Sequence, residues 1–173
     1  MIYNSKVIDF FQRHNMYEKI MFDYLQDNTI MIDYRDEDEK DFIGCFYAFN
    51  RKDILKSISL CIPYLMDDMT TLINIHEITH GIYMYKYLDK KVTIEKDIEV
   101  LPMLYERIYV NETNNKELLE FANDLDKMIK HEDNYLLGLK LRDELLRIYN
   151  YDFEDINKKA KKLVKKELRN KHS

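Results

Sequence analysis

Apolar side chains recur every three to four residues through most of the chain, a spacing that predicts amphipathic helices. The helices are expected over residues 4–27, 67–88, 101–109, 115–130, 134–149 and 153–171. Strands are expected at residues 42–49 and 54–62, joined by a turn, and residues 29–34 fit either a short strand or a helix. The predicted fold is α+β and mainly α, with a short antiparallel sheet of about three strands followed by helices.

Composition is consistent with a single globular domain. The 173 residues are 46% apolar and 34% charged, and the chain has only three Gly and two Pro. Such sparse use of turn residues favours long helices over a turn-rich all-β fold. We therefore predict one domain over residues 1–173, which is long enough to enclose one core.

Charge and cysteine content narrow the expected partners and location. A net charge of −5 gives no overall basic surface for nucleic acid, and the lysines of residues 158–171 have the spacing of a solvated helix face. The chain shows neither an apolar run of membrane-span length nor a signal-peptide pattern. Cys45 and Cys61 are too few for a disulfide framework. We expect a cytoplasmic protein without nucleic-acid or membrane partners, and the oligomeric state stays open.

The motif His76-Glu77-Ile78-Thr79-His80 lies in the predicted 67–88 helix. Histidines four residues apart project from one helix face and can bind one metal ion together. Glu77 would then lie beside the metal, where its carboxylate can accept a proton from water. Zinc fits best, since it accepts nitrogen and oxygen ligands. The alternative is a helix whose histidines make ordinary hydrogen bonds.

The helix around the motif has the features expected of a metal-binding helix. Asp67 or Asp68 can cap its start, and no Pro or Gly interrupts residues 69–80. The residues with helical spacing that are expected to face inward are Met69, Leu72, Ile73, His76, His80 and Met84.

A third protein ligand has to come from another part of the chain, because two histidines hold zinc weakly. The metzincin pattern would need Gly and His where Tyr83 and Lys86 stand, so that class is excluded. An acidic ligand further along, the gluzincin arrangement, remains. Glu99 and Glu106 are the candidates, seven residues apart and therefore on one face of a helix. One can bind the metal while the other hydrogen-bonds a ligating histidine.

Several motifs in a fixed order resemble the catalytic core of the thimet oligopeptidase and oligoendopeptidase F family. That core has a Gly-small-aromatic strand, an apolar strand, an Asp-rich segment with Thr-Leu, the zinc helix and then Glu-Val-x-Ser-x-x-x-Glu. The chain carries in this order Gly44-Cys45-Phe46, Leu60-Cys61-Ile62-Pro63, Asp67-Asp68, Thr71-Leu72, His76 to His80, and Glu99-Val100 through Glu106. Tyr135-Leu136-Leu137-Gly138 looks like the family's Tyr-x-x-Gly helix. The resemblance covers roughly residues 42–145, and Thr79 stands where the family usually has Gly.

The resemblance implies a zincin-like core in which His76, His80 and Glu99 bind Zn²⁺. It also implies that Glu77 is the general base and that Glu106 supports a ligand, while spacing alone leaves Glu106 open as an alternate ligand. The family's tyrosines help to hold the substrate's oxyanion, which makes Tyr135 the candidate for that role. His131 lies where the family has an aromatic cluster and is a further candidate.

The sequence therefore predicts a zinc metallopeptidase of gluzincin type that hydrolyses peptide bonds in a peptide or protein substrate. A predicted edge strand ahead of the zinc helix could bind an extended peptide by strand addition. Two alternatives remain. One is a regulatory protease that cuts a single dedicated protein, and the other is a metal-binding regulatory protein of the same fold without catalysis.

Overall fold

The computed structural model describes residues 5–16, 30–35, 45–52, 54–63, 67–85, 87, 90–91 and 97–170. Over these ranges the chain is mainly helical and has one small sheet, as predicted. Its elements are α1 (Ser5–Arg13), β1 (Ile30–Arg35), β2 (Cys45–Arg51), β3 (Ile54–Pro63), α2 (Asp68–Tyr85), α3 (Val100–Thr113), α4 (Lys116–Ile129), α5 (Asp133–Arg147) and α6 (Phe153–Asn170).

The chain divides into two compact units, Met1–Ile94 and Glu95–Ser173. The first unit contains the sheet, α1 and α2, and the second contains the helices from α3 to α6. The single-domain assignment stays a prediction.

The sheet of the first unit has the strand order β1-β3-β2. β2 and β3 form the predicted antiparallel hairpin, whose turn includes Lys52 at a positive φ of 54°. β1, however, runs parallel to β3, with Ile30 opposite Ile58, so the sheet is mixed rather than antiparallel throughout. Parallel neighbours need a connection of about a dozen residues or more. Residues 36–53, which include β2, give β1 and β3 a connection of that length.

Helix α2 starts at a cap that the sequence predicted. The Asp67 side chain accepts a hydrogen bond from the Thr70 backbone N–H at 2.7 Å, and its second oxygen accepts one from the Thr70 hydroxyl at 3.1 Å. This satisfies one of the N–H groups that a helix start leaves without a partner inside the helix. The helix packs mainly against β3. The cap therefore fixes where the histidine-bearing turns lie along the sheet.

Helix α1 is shorter than the predicted helix over residues 4–27. It ends at Arg13, and Asn15 has a positive φ of 55°, a left-handed conformation that asparagine tolerates better than most residues. Residues 17–29 lie outside the described part of the chain. Lys6 on α1 forms an ion pair of 2.6 Å with Asp68 at the start of α2, so the two helices are joined at this point.

The helices of the second unit begin close to their predicted starts. Asn115 caps α4, because its side chain accepts hydrogen bonds from two backbone N–H groups of that helix. The Asp152 side chain likewise accepts a hydrogen bond from the Asp155 backbone N–H in the first turn of α6. Helix α5 packs most extensively against α3. Helix α6 buries one apolar side and exposes lysines on the other, which confirms the predicted amphipathic helix. Its buried residues are Phe153, Ile156, Asn157, Ala160 and Val164.

Within the described ranges, none of the helices combines the length and the apolar content that crossing a bilayer requires.

Candidate metal centre

Two imidazole rings lie next to each other on α2. The ring centroids of His76 and His80 are 5.0 Å apart, and the ring planes meet at 71°. His80 is buried, with 3% of its surface exposed, whereas His76 is half-buried. The four-residue spacing in a regular helix produces this neighbourhood. Of the two imidazole rings, only that of His76 is therefore accessible to solvent to a substantial extent.

Helix α2 is buried on more sides than an amphipathic helix would be. Thr70, Thr71, Ile75 and Ile78 are buried in addition to the predicted inward positions Leu72, His80 and Met84. The prediction for Met69 is wrong: 39% of this side chain is exposed. Met69 belongs to the first turn of the helix, in which Thr70 and Thr71 are the buried side chains.

Thr79 lies between the two histidines, at the position where the oligopeptidase family predicted from the sequence usually has Gly. Its hydroxyl donates a hydrogen bond of 2.7 Å to the Ile75 carbonyl oxygen one turn earlier, and the side chain is fully buried. Back-bonding of this kind lets threonine fit inside a helix without leaving its hydroxyl unsatisfied. Thr79 is therefore accommodated without breaking α2.

Glu77, the predicted general base, lies on α2 with only 7% of its surface exposed. The sequence did not single out Asn74, which precedes it by three residues on the same side of the helix and is 3% exposed. A buried amide beside a buried carboxylate makes this side of α2 polar. The only sequence signal for it was the absence of charge at position 74.

Glu99 immediately precedes α3 as its N-cap residue and is 8% exposed. Among the described residues, His76, His80 and Glu99 form a group that could hold a metal ion, with one ligand atom from each lying within 4.8 Å of the others. Donor atoms at about 2 Å from one tetrahedral zinc ion lie roughly 3.3 Å from one another, so the three side chains would have to come closer together on binding.

The donor set of this group matches zinc chemistry. Two imidazole nitrogens and one carboxylate are the protein ligands of a common catalytic zinc site, which keeps a further position for water or substrate. The residues present thus fit the metal that the sequence predicts. Calcium and magnesium prefer sites made of oxygen atoms alone, so the two imidazoles disfavour both.

Three acidic side chains are buried along the segment that leads into and through the first half of α3. Asp97, Glu99 and Glu106 are 7%, 8% and 9% exposed. Burying carboxylates costs free energy unless hydrogen bonds, cations or a metal compensate for the lost hydration. Asp97 was not among the predicted site residues, although its position two residues before Glu99 was a signal. Asp97 and Glu99 therefore favour a cation near the start of α3.

Glu106 does not belong to the group that could hold a metal. It lies seven residues beyond Glu99, about 10 Å along a helix axis. The supporting or alternate role of Glu106 stays a prediction.

The two candidates for oxyanion stabilisation differ in exposure. Tyr135 is half-buried in the first turn of α5, and His131 is exposed in the turn that connects α4 with α5. His131 is not part of the metal group. The catalytic roles of both residues stay predictions.

No protein-family model, curated protein or solved structure matches the chain. The assignment of this centre therefore depends on its own residues and geometry, and the likeness to the oligopeptidase family stays a prediction.

Proposed function

We propose that the protein is a zinc-dependent peptidase of gluzincin type with a zincin-like core. The observation that carries the proposal is the grouping of His76, His80 and Glu99 within 4.8 Å, with Glu77 next to His76 in the sequence. Three nitrogen and oxygen ligands beside a buried carboxylate are the parts that metal-assisted hydrolysis of an amide needs.

The ion would be bound by His76, His80 and Glu99. Glu77 would accept a proton during the reaction and then donate it. A zinc ion held there would supply a Lewis acid for the scissile carbonyl and would lower the pKa of water toward neutrality. The Glu77 carboxylate accepts a proton from the attacking water and returns it to the leaving nitrogen as the carbon–nitrogen bond breaks. Tyr135 or His131 would donate a hydrogen bond to the oxyanion.

The substrate class that we propose is an extended peptide segment. β2 lies at an edge of the three described strands, and α2 packs against β3 and β2. An edge strand offers backbone N–H and C=O groups that can pair with a peptide as an added strand. In strand addition the affinity comes mainly from hydrogen bonds to the peptide backbone. This mode of binding therefore suits a peptidase that accepts many different substrate sequences.

The substitution Glu77→Gln tests the proposal most sharply. The amide keeps the size of the side chain but cannot accept the proton, so hydrolysis of a quenched fluorescent peptide library should fall by about 10²–10⁴-fold. The zinc content of this variant should equal that of the wild type, because Glu77 is not a ligand. Glu144→Gln, an exposed position on α5, is the matched control and should keep wild-type activity.

Two results would contradict the proposal. Undiminished turnover in Glu77→Gln would remove this residue from the base role. A zinc-loaded wild type that cleaves no peptide of the library would exclude a general peptidase. That second result would favour either a protease for one dedicated protein or a metal-binding regulatory protein.

A further inference from the structure

We infer that Gly138 positions Glu99 for metal binding, an inference that depends on the proposed function. Gly138 is buried in α5, the helix that packs most extensively against α3. A β-carbon built on Gly138 would overlap the Met103 sulfur and lie 3.2 Å from the Glu99 carbonyl oxygen. The missing side chain thus lets α5 approach the backbone of the proposed third ligand.

The contact with Glu99 is with a part of the backbone that is held in place. The Glu99 carbonyl oxygen accepts the hydrogen bond of the Met103 N–H at 3.1 Å, which makes it the acceptor of the first turn of α3. The preceding turn is closed by a hydrogen bond of 3.0 Å from the Val100 N–H to the Asp97 carbonyl oxygen. This carbonyl oxygen can therefore move only together with the start of α3 and the Glu99 side chain.

The two neighbours of Gly138 respond differently to added volume. Met103 can rotate away, because its thioether side chain is flexible. The Glu99 carbonyl oxygen cannot rotate and would have to shift by a few tenths of an ångström. Away from such contacts, replacing Gly by Ala inside a helix raises stability. Stability and metal binding should therefore respond differently to this one substitution.

The test measures the Zn²⁺ dissociation constant of the full chain by competition with a chromophoric chelator. Gly138→Ala should weaken zinc binding by about tenfold or more, the usual consequence of disturbing a group that orients a ligand. In the Glu99→Gln background the same substitution should leave zinc affinity almost unchanged, since the ligand that it displaces is already lost. Equal weakening in both backgrounds would overturn the inference.

A matched control separates positioning from general loss of stability. Leu145 is fully buried on the same helix, seven residues or about 10 Å from Gly138. Leu145→Ala should lower the thermal unfolding midpoint and leave the zinc dissociation constant within a factor of two of the wild type. Weakening of zinc binding by Leu145→Ala to the same extent as by Gly138→Ala would also overturn the inference.

A second variant keeps the inference testable if Gly138→Ala alone does not fold. Combining it with Met103→Ala removes the nearest obstacle and leaves the contact with the Glu99 carbonyl oxygen. This double variant should fold and still bind zinc about tenfold more weakly than Met103→Ala alone. Unchanged affinity would overturn the inference for Gly138 and leave the proposed function standing. Failure of the wild type to bind zinc would overturn both.

Discussion

Tyr105 and Tyr149 place two phenol groups against each other inside the second unit. Their ring centroids are 5.9 Å apart with the planes at 87°, and the Tyr105 side chain is fully buried. Burial raises the pKa of the Tyr105 hydroxyl far above its usual value, and the neighbouring Tyr149 raises it further. Burial likewise raises the pKa of Tyr149. Both groups are therefore neutral in the folded protein well beyond the ordinary titration range of tyrosine.

The raised pKa of Tyr105 predicts a loss of stability in alkali. Above about pH 10 the unfolded chain loses this proton while the folded protein keeps it, so the free energy of unfolding falls as the pH rises. In Tyr105→Phe this fall should be shallower between pH 9 and 11, as measured by urea unfolding. Equal slopes for Tyr105→Phe and the wild type would contradict the prediction.

At the scale of elements, one carboxylate joins three helices of the second unit. Asp126 on α4 accepts hydrogen bonds from Arg107 on α3 at 2.7 Å and from both terminal nitrogens of Arg142 on α5 at 2.8 and 2.9 Å. The three side chains are only 11–17% exposed. Burial and the nearby Arg142 lower the pKa of Arg107. Asp126 therefore compensates two guanidinium groups that would otherwise repel each other.

Asp126→Asn should destabilise the packing of these helices by about 3 kcal/mol, the low end for a buried ion pair, because it leaves two partly buried cations without their counter-ion. Urea unfolding of the variant and the wild type measures this difference. The matched control is Asp124→Asn on the same helix, which removes an exposed ion pair with Lys127 and should have little effect. Similar losses for the two variants would show that the Asp126 cluster does not join the helices as described.

Across the whole molecule, sequence patterns correctly predicted the features that depend on neighbouring residues only, such as helix caps and helix faces. The capping carboxylate of Asp67 and the helical spacing of His76 and His80 are both found as expected. Neighbouring residues are enough to set a helix cap and a shared helix face. The elements from α2 to α6 were predictable for the same reason.

Other features depend on contacts between distant parts of the chain. The parallel pairing of β1 with β3 has no signal in the residues of either strand, whereas Asn15 was a local signal for the early end of α1. Spacing alone also could not choose between Glu99 and Glu106, because the choice depends on the path of the chain after His80. Gly138 was visible in the sequence as part of a motif, but its contact with Glu99 was not.

Zinc stoichiometry is the most direct test of the central claim, that His76, His80 and Glu99 hold one metal ion. Elemental analysis of the purified chain after equilibration with Zn²⁺ and gel filtration should give about one zinc per chain, as for a site with three protein ligands. Glu99→Ala should lose most of this zinc, whereas Glu144→Ala, at an exposed position on α5, should retain it. A wild type without zinc, or a Glu99→Ala variant with full zinc content, would contradict the proposed metal centre.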